Sequence, residues 1–70
     1  MIPGMIYYKN GIITYNIKQE DDIRIYINIY YHLQWFRFKV IKMVFTDENL
    51  VDLIKAAKIT IDGLNSQYKL

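Results

Sequence analysis

Cysteine is absent from this 70-residue chain, so neither disulfides nor a thiolate metal site can supplement its core. That absence fits a reducing compartment. Histidine occurs once, at His32, and serine once, at Ser66. Neither Ser66 nor any threonine has a base partner at motif spacing, which leaves nucleophilic catalysis without its parts. A Gly-rich phosphate loop and a repeated His/Asp metal spacing are also missing. The expectation is no enzyme, no catalytic residue, no metal and no cofactor, because a usable active site needs convergent groups. No apolar run approaches the roughly 18–20 residues of a membrane span. The start of the chain lacks a basic segment followed by an uninterrupted apolar one, so a secretory signal is not expected either. These gaps predict a soluble intracellular protein with no membrane partner and no small-molecule substrate. Internal repeats and low-complexity stretches are lacking as well.

What is present is hydrophobic, aromatic and unevenly charged. Seventy residues make one domain, 1–70, and so small a core makes oligomerisation a natural expectation. A hydrophobic content of 53% with clear periodicity excludes a disordered chain. The net charge is only +2, but residues 1–45 carry +3 and residues 46–70 carry −1. Ten of the eleven aromatic residues also lie in the first 45. Cations and rings in one half are what single-stranded nucleic acid requires, although strands favour Tyr and Phe for their own reasons. The bias toward Ile, Tyr, Lys and Asn fits an AT-rich coding source, which admits a viral, phage or archaeal origin.

Alternation predicts four strands, at about 5–9, 12–18, 23–31 and 36–45, and one helix at about 47–65. Asn10-Gly11 is a hairpin signal, because both positions of such a turn need positive φ. Gln19-Glu20-Asp21-Asp22 reads as a solvated turn rather than a cation site. His32-Leu33-Gln34-Trp35 is the third turn candidate. In the fourth strand Val40 and Ile41 are adjacent apolar residues, which a period of two accommodates only through a bulge or covering of both faces; a bulge is preferred. Thr46 or Asp47 caps the helix in this reading, with Asp47 and Glu48 in the first turn, and Gly63 frays or ends it. Leu50, Leu53, Ile54, Ala57, Ile61 and Leu64 form one stripe. It should cover the isoleucine face of the sheet. Val51 and Ile59 fall off that stripe, either as a second apolar contact such as a dimer interface or as ordinary surface residues. The fold class is α+β, a four-stranded antiparallel sheet with one C-terminal helix packed on one face.

Ile23–Tyr31 is the segment that points to function. Isoleucine fills every second position, so one side of the strand is aliphatic and the other carries Arg24, Tyr26, Asn28 and Tyr30. Trp35, Arg37, Lys39 and Lys42 follow closely in sequence. Rings offer π faces to unstacked bases, worth about 1–3 kcal/mol per stacked base. Lysine and arginine neutralise phosphates. Neither term reads sequence well, so binding tolerant of base identity is expected.

Tyr26-Ile27-Asn28-Ile29-Tyr30-Tyr31 matches in outline a hydrophobic-acid-Ile-x-x-Tyr strand. Met43–Leu53 runs from a last strand into a helix opened by a polar cap, and Ile61-Asp62 follows. On these residues Gly11–Asn65 resembles the single-stranded-DNA-binding domain of the positive cofactor four family of transcriptional coactivators. Phe38–Lys42 stands where that family has a Pro-Gly and Lys-x-Gly loop. The resemblance implies a homodimer whose curved sheets form basic, aromatic channels for single strands. Arg24, Tyr26, Tyr30, Trp35, Arg37, Lys39 and Lys42 would occupy or flank the strands of those channels. It also implies a helix at the dimer interface, through Leu50, Val51, Leu53, Ile54, Ala57, Ile61 and Leu64.

The leading expectation is a protein that binds single-stranded nucleic acid, DNA favoured, as a replication, repair or transcription accessory. The alternative is a small viral or phage interaction module that sets its aromatic sheet face against a host protein.

Overall fold

The computed structural model describes residues 2–33 and 35–68. It has four strands, β1 (Ile2–Tyr8), β2 (Gly11–Gln19), β3 (Ile23–Leu33) and β4 (Phe36–Thr46), followed by a helix, α1 (Leu50–Tyr68). The strands form one antiparallel sheet in sequence order. Helix α1 packs on one side of it, so the α+β architecture is as the sequence predicts. The described chain is elongated, 43 × 20 × 15 Å.

The alternation in β3 sets the layers. Ile25, Ile27, Ile29 and Tyr31 are fully buried and meet Ile13 of β2 and Ala57 and Ile61 of α1. Burying an isoleucine contributes roughly 1.5–3 kcal/mol, so this row does most to hold helix to sheet. Ile23, at the strand's start, is exposed. Leu50, Leu53 and Leu64 pack against the same core. The helix stripe is thus spent on the chain's own sheet. Ala57 and Ile61 are buried within the chain itself, against its own sheet. Leu50, Leu53, Ile54 and Leu64 are half-buried, whereas Val51 is 59% exposed.

The first hairpin turns one residue earlier than Asn10-Gly11 predicts. Tyr8 pairs with Gly11, and the two turn residues are Lys9 (φ 41°) and Asn10 (φ 69°). Both have the positive φ a tight two-residue hairpin demands. Gly11 belongs to β2 and has an ordinary φ. Its glycine is required by packing, because a Cβ there would lie 2.5 Å from Ile61 Cδ1. β1 also starts earlier than predicted and includes Pro3, which an edge strand tolerates because it can place the missing N–H outward.

In β4 the bulge is where the phase fault predicts it. Ile29 pairs with Ile41 and Tyr30 with Lys39, leaving Val40 as the extra residue. The third connection has a turn at Trp35, while Gln34 lies outside the described residues.

The helix begins later than predicted. Asp47, with φ 55°, closes a reciprocal pair with the start of β3: its N–H donates to the Ile23 carbonyl at 2.8 Å, and the Ile23 N–H donates to its Oδ1 at 3.1 Å. Committed to β3, it cannot cap α1. Asn49 does so instead, its Oδ1 accepting from Val51 N at 2.9 Å and Asp52 N at 3.4 Å. Gly63 does not end the helix, which continues to Tyr68. The far end is clasped to the first hairpin by Asn65. Its Nδ2 donates to the Lys9 carbonyl at 2.7 Å, and its Oδ1 accepts from the Tyr31 hydroxyl at 2.6 Å and from Asn10 Nδ2 at 3.3 Å.

Candidate functional site

Residues opposite one another in a ladder point to the same face, so the pairing tells which side chains share the uncovered side of the sheet. Across β2, β3 and β4 three rows lie there: Lys18, Arg24 and Thr46; Asn16, Tyr26 and Val44; Thr14, Asn28 and Lys42. A fourth row, Tyr7, Ile12, Tyr30 and Lys39, spans all four strands. His32 pairs with Arg37 beyond it. The bulge at Val40 is what keeps this set together. It lets Lys42 on one side and Lys39 and Arg37 on the other occupy the same face, while Ile41, Met43 and Phe45 turn toward the helix.

Charge is separated by this arrangement. Lys18, Arg24, Arg37, Lys39 and Lys42 are the basic residues of the strands, and all five project from the open face. Among the described residues none of the seven acids lies on a strand. Glu20, Asp21 and Asp22 are in the β2–β3 turn, Asp47 and Glu48 precede the helix, and Asp52 and Asp62 are within it. The two ends of the face differ. At the β2–β3 end Lys18 Nζ is 3.4 Å from Glu20 and Arg24 Nε is 3.3 Å from Asp22. The Tyr26 hydroxyl, and then Asp22, raise the pKa of Arg24 above its ordinary value. Arg37, Lys39 and Lys42 have no acid partner among the described residues. Positive potential is therefore strongest toward the other end, along β4.

The rings are placed as the alternation of β3 predicts. Tyr26 and Tyr30 are half-buried on the open face, and Lys39 Nζ sits 5.6 Å from the Tyr30 ring centroid. Asn28 lies between Thr14 and Lys42. The side-chain oxygens of Asn16 and Asn28 are shielded and without a hydrogen-bond partner. Trp35 is not on the sheet but in the β3–β4 turn, 88% exposed. Tyr31, by contrast, belongs to the core.

The sequence places a strand at about 5–9 but assigns none of its residues to the site. Tyr7 is 74% exposed and Met5 is also exposed on the open face. With Ile12, Thr14, Tyr30 and Arg37 they line a depression of about 330 Å³. A neighbouring hollow of about 430 Å³ shares Tyr7, Ile12 and Arg37 and adds His32 and the hairpin turn. The alternation of Met5 and Tyr7 was the available signal, but only the pairing of β1 with β2 shows which face it joins. Among the described residues no group of acidic and histidine side chains is placed to hold a metal ion, and no helix is long and apolar enough to cross a membrane. Comparison with protein-family models, curated proteins and solved structures finds no match for the chain.

Proposed function

We propose that the chain binds single-stranded nucleic acid on the open face of its sheet, without strong preference for base identity. It would serve replication, repair or transcription inside a cell, as a binding protein rather than an enzyme. One observation carries this reading: every strand cation lies on the open face, interleaved with tyrosines, while every acid lies elsewhere. Lys18 and Arg24 have acid partners within the chain, whereas Arg37, Lys39 and Lys42 have none among the described residues. An anionic partner is required, and one that offers flat apolar groups between its charges matches the mixture of rings and cations. The resemblance of Gly11–Asn65 to the coactivator family points the same way.

Fluorescence anisotropy with a labelled oligo-dT of about 25 nucleotides tests it. Binding should weaken with salt at a slope of roughly −2, because Arg37, Lys39 and Lys42 are the three unneutralised cations and each single-strand contact contributes about 0.7. No binding at low salt, or binding indifferent to salt, overturns the proposal. Capture of an acidic protein without nucleic-acid binding would instead make the face a protein-interaction module.

A further inference from the structure

The depression between β1 and β3 is lined by two tyrosines, an isoleucine and an arginine. Tyr7 on β1 and Tyr30 on β3 stand in the same cross-strand row with Ile12 between them on β2. Two strand spacings of about 4.8 Å separate the backbones of the two tyrosines by roughly 10 Å. Offset-stacked rings have centroids about 4.5–7 Å apart. The backbone spacing leaves room for a planar ring between the two side chains, which reach it at offset-stacking range by leaning toward it. Ile12 forms an apolar floor for the ring edge. Lys39 approaches Tyr30 from the β4 side, while the depression lies toward β2 and β1. Among the described residues neither tyrosine stacks on another ring.

Charge is placed to match. Arg37 borders this depression and the adjoining hollow, at the end of the sheet where cations lack acid partners. A backbone phosphate attached to an inserted base would find its guanidinium there. The volume of about 330 Å³ lies in the range of roughly 300–1,000 Å³ that holds small organic ligands.

We infer that one unstacked base of a single strand inserts between Tyr7 and Tyr30 over Ile12, with its phosphate at Arg37. This rests on the nucleic-acid reading and adds to it a defined subsite and a reason for single strands. A base within a duplex is paired and stacked on its neighbours and cannot enter. Both walls are aromatic and the floor is aliphatic, so the slot accepts purines and pyrimidines alike.

The test compares wild type, Tyr7→Leu and Tyr7→Phe on labelled oligo-dT and on an abasic deoxyribose-phosphate chain of equal length and charge. Tyr7 is 74% exposed, so these variants should retain the fold, which circular dichroism checks. The slot predicts that Tyr7→Leu weakens oligo-dT binding at least about fivefold, the low end of the loss of one stacked base. Tyr7→Phe should stay within about twofold, because it keeps the ring. All three proteins should bind the abasic chain alike. If wild type binds oligo-dT with the expected salt dependence but Tyr7→Leu binds equally well, the slot is overturned and the nucleic-acid reading stands. If wild type binds no oligo-dT at low salt, both fall.

Discussion

Gly11 and Gly63 are both glycines flanked by regular structure, yet their surroundings predict opposite effects of the same substitution. Gly11 is buried under Ile61, with the Cγ1, Cγ2 and Cδ1 carbons all within 3.0 Å of where a Cβ would stand. Gly11→Ala should destabilise the protein by about 1–3 kcal/mol, the usual cost of overpacking a filled core. Gly63 is exposed within α1 and has nothing within 4 Å of its Cβ position. Gly63→Ala should stabilise by roughly 0.5–1 kcal/mol, through helix propensity and a less flexible unfolded chain. Urea titrations of the two variants would show midpoints moving in opposite directions. Neither role was legible from local sequence. Asn10-Gly11 looks like a turn because Gly is the usual supplier of positive φ, but here Lys9 and Asn10 supply it and the glycine serves a helix fifty residues away. Gly63 looks like a terminator because propensity disfavours it, but Ile61 and Leu64 on either side are anchored to the sheet.

At the scale of elements, the two ends of α1 are held by asparagines. Asn49 caps the first turn, and Asn49→Ala should cost about 1 kcal/mol, read as a lower thermal midpoint with unchanged circular dichroism. Asn65 is bonded to β1–β2 turn residues and to the buried Tyr31 hydroxyl. Asn65→Leu should cost more, about 1–3 kcal/mol, because it removes three hydrogen bonds at once, the part-buried one from Tyr31 among them. The Lys9–Asp62 contact at 3.6 Å lies beside this clasp and is exposed, so it adds little. Asp62, and then Tyr8, raise the Lys9 pKa above 10.5. On the alkaline side its contribution therefore persists to pH 10.5 and is lost as pH climbs through the raised value. Much at this scale was readable. Four strands, one helix, its apolar stripe and the bulge at Val40-Ile41 all follow from periodicity, because a face fully committed to a core tolerates no slip of register. The helix start was not, because Thr46, Asp47 and Asn49 are all good caps. Only the contact of Asp47 with Ile23 removes it from the choice.

For the molecule as a whole, β3 announces a two-sided sheet, and its Arg24, Tyr26, Asn28 and Tyr30 reach the open face as the alternation predicts. Arg37, Lys39 and Lys42 join them because the bulge rephases β4. The contribution of β1 was hidden, since Tyr7 meets Ile12 and Tyr30 only through two ladders of pairing. The strand residues of the resulting face carry only positive charge, flanked by acids at the β2–β3 turn and free of acid partners among the described residues toward Arg37 and Lys39. Its charge balances against the helix and turns, which is why a net charge of +2 conceals it. The most direct test removes equal charge from the two sides. Arg37→Gln/Lys42→Gln strips the open face, and Lys55→Gln/Lys58→Gln strips the helix. Salt-dependent titrations against oligo-dT should give a slope falling from roughly −2 to about −0.7 for the first variant and an unchanged slope for the second. Equal losses in both variants, or none in either, would contradict the assignment of the open face as the binding surface.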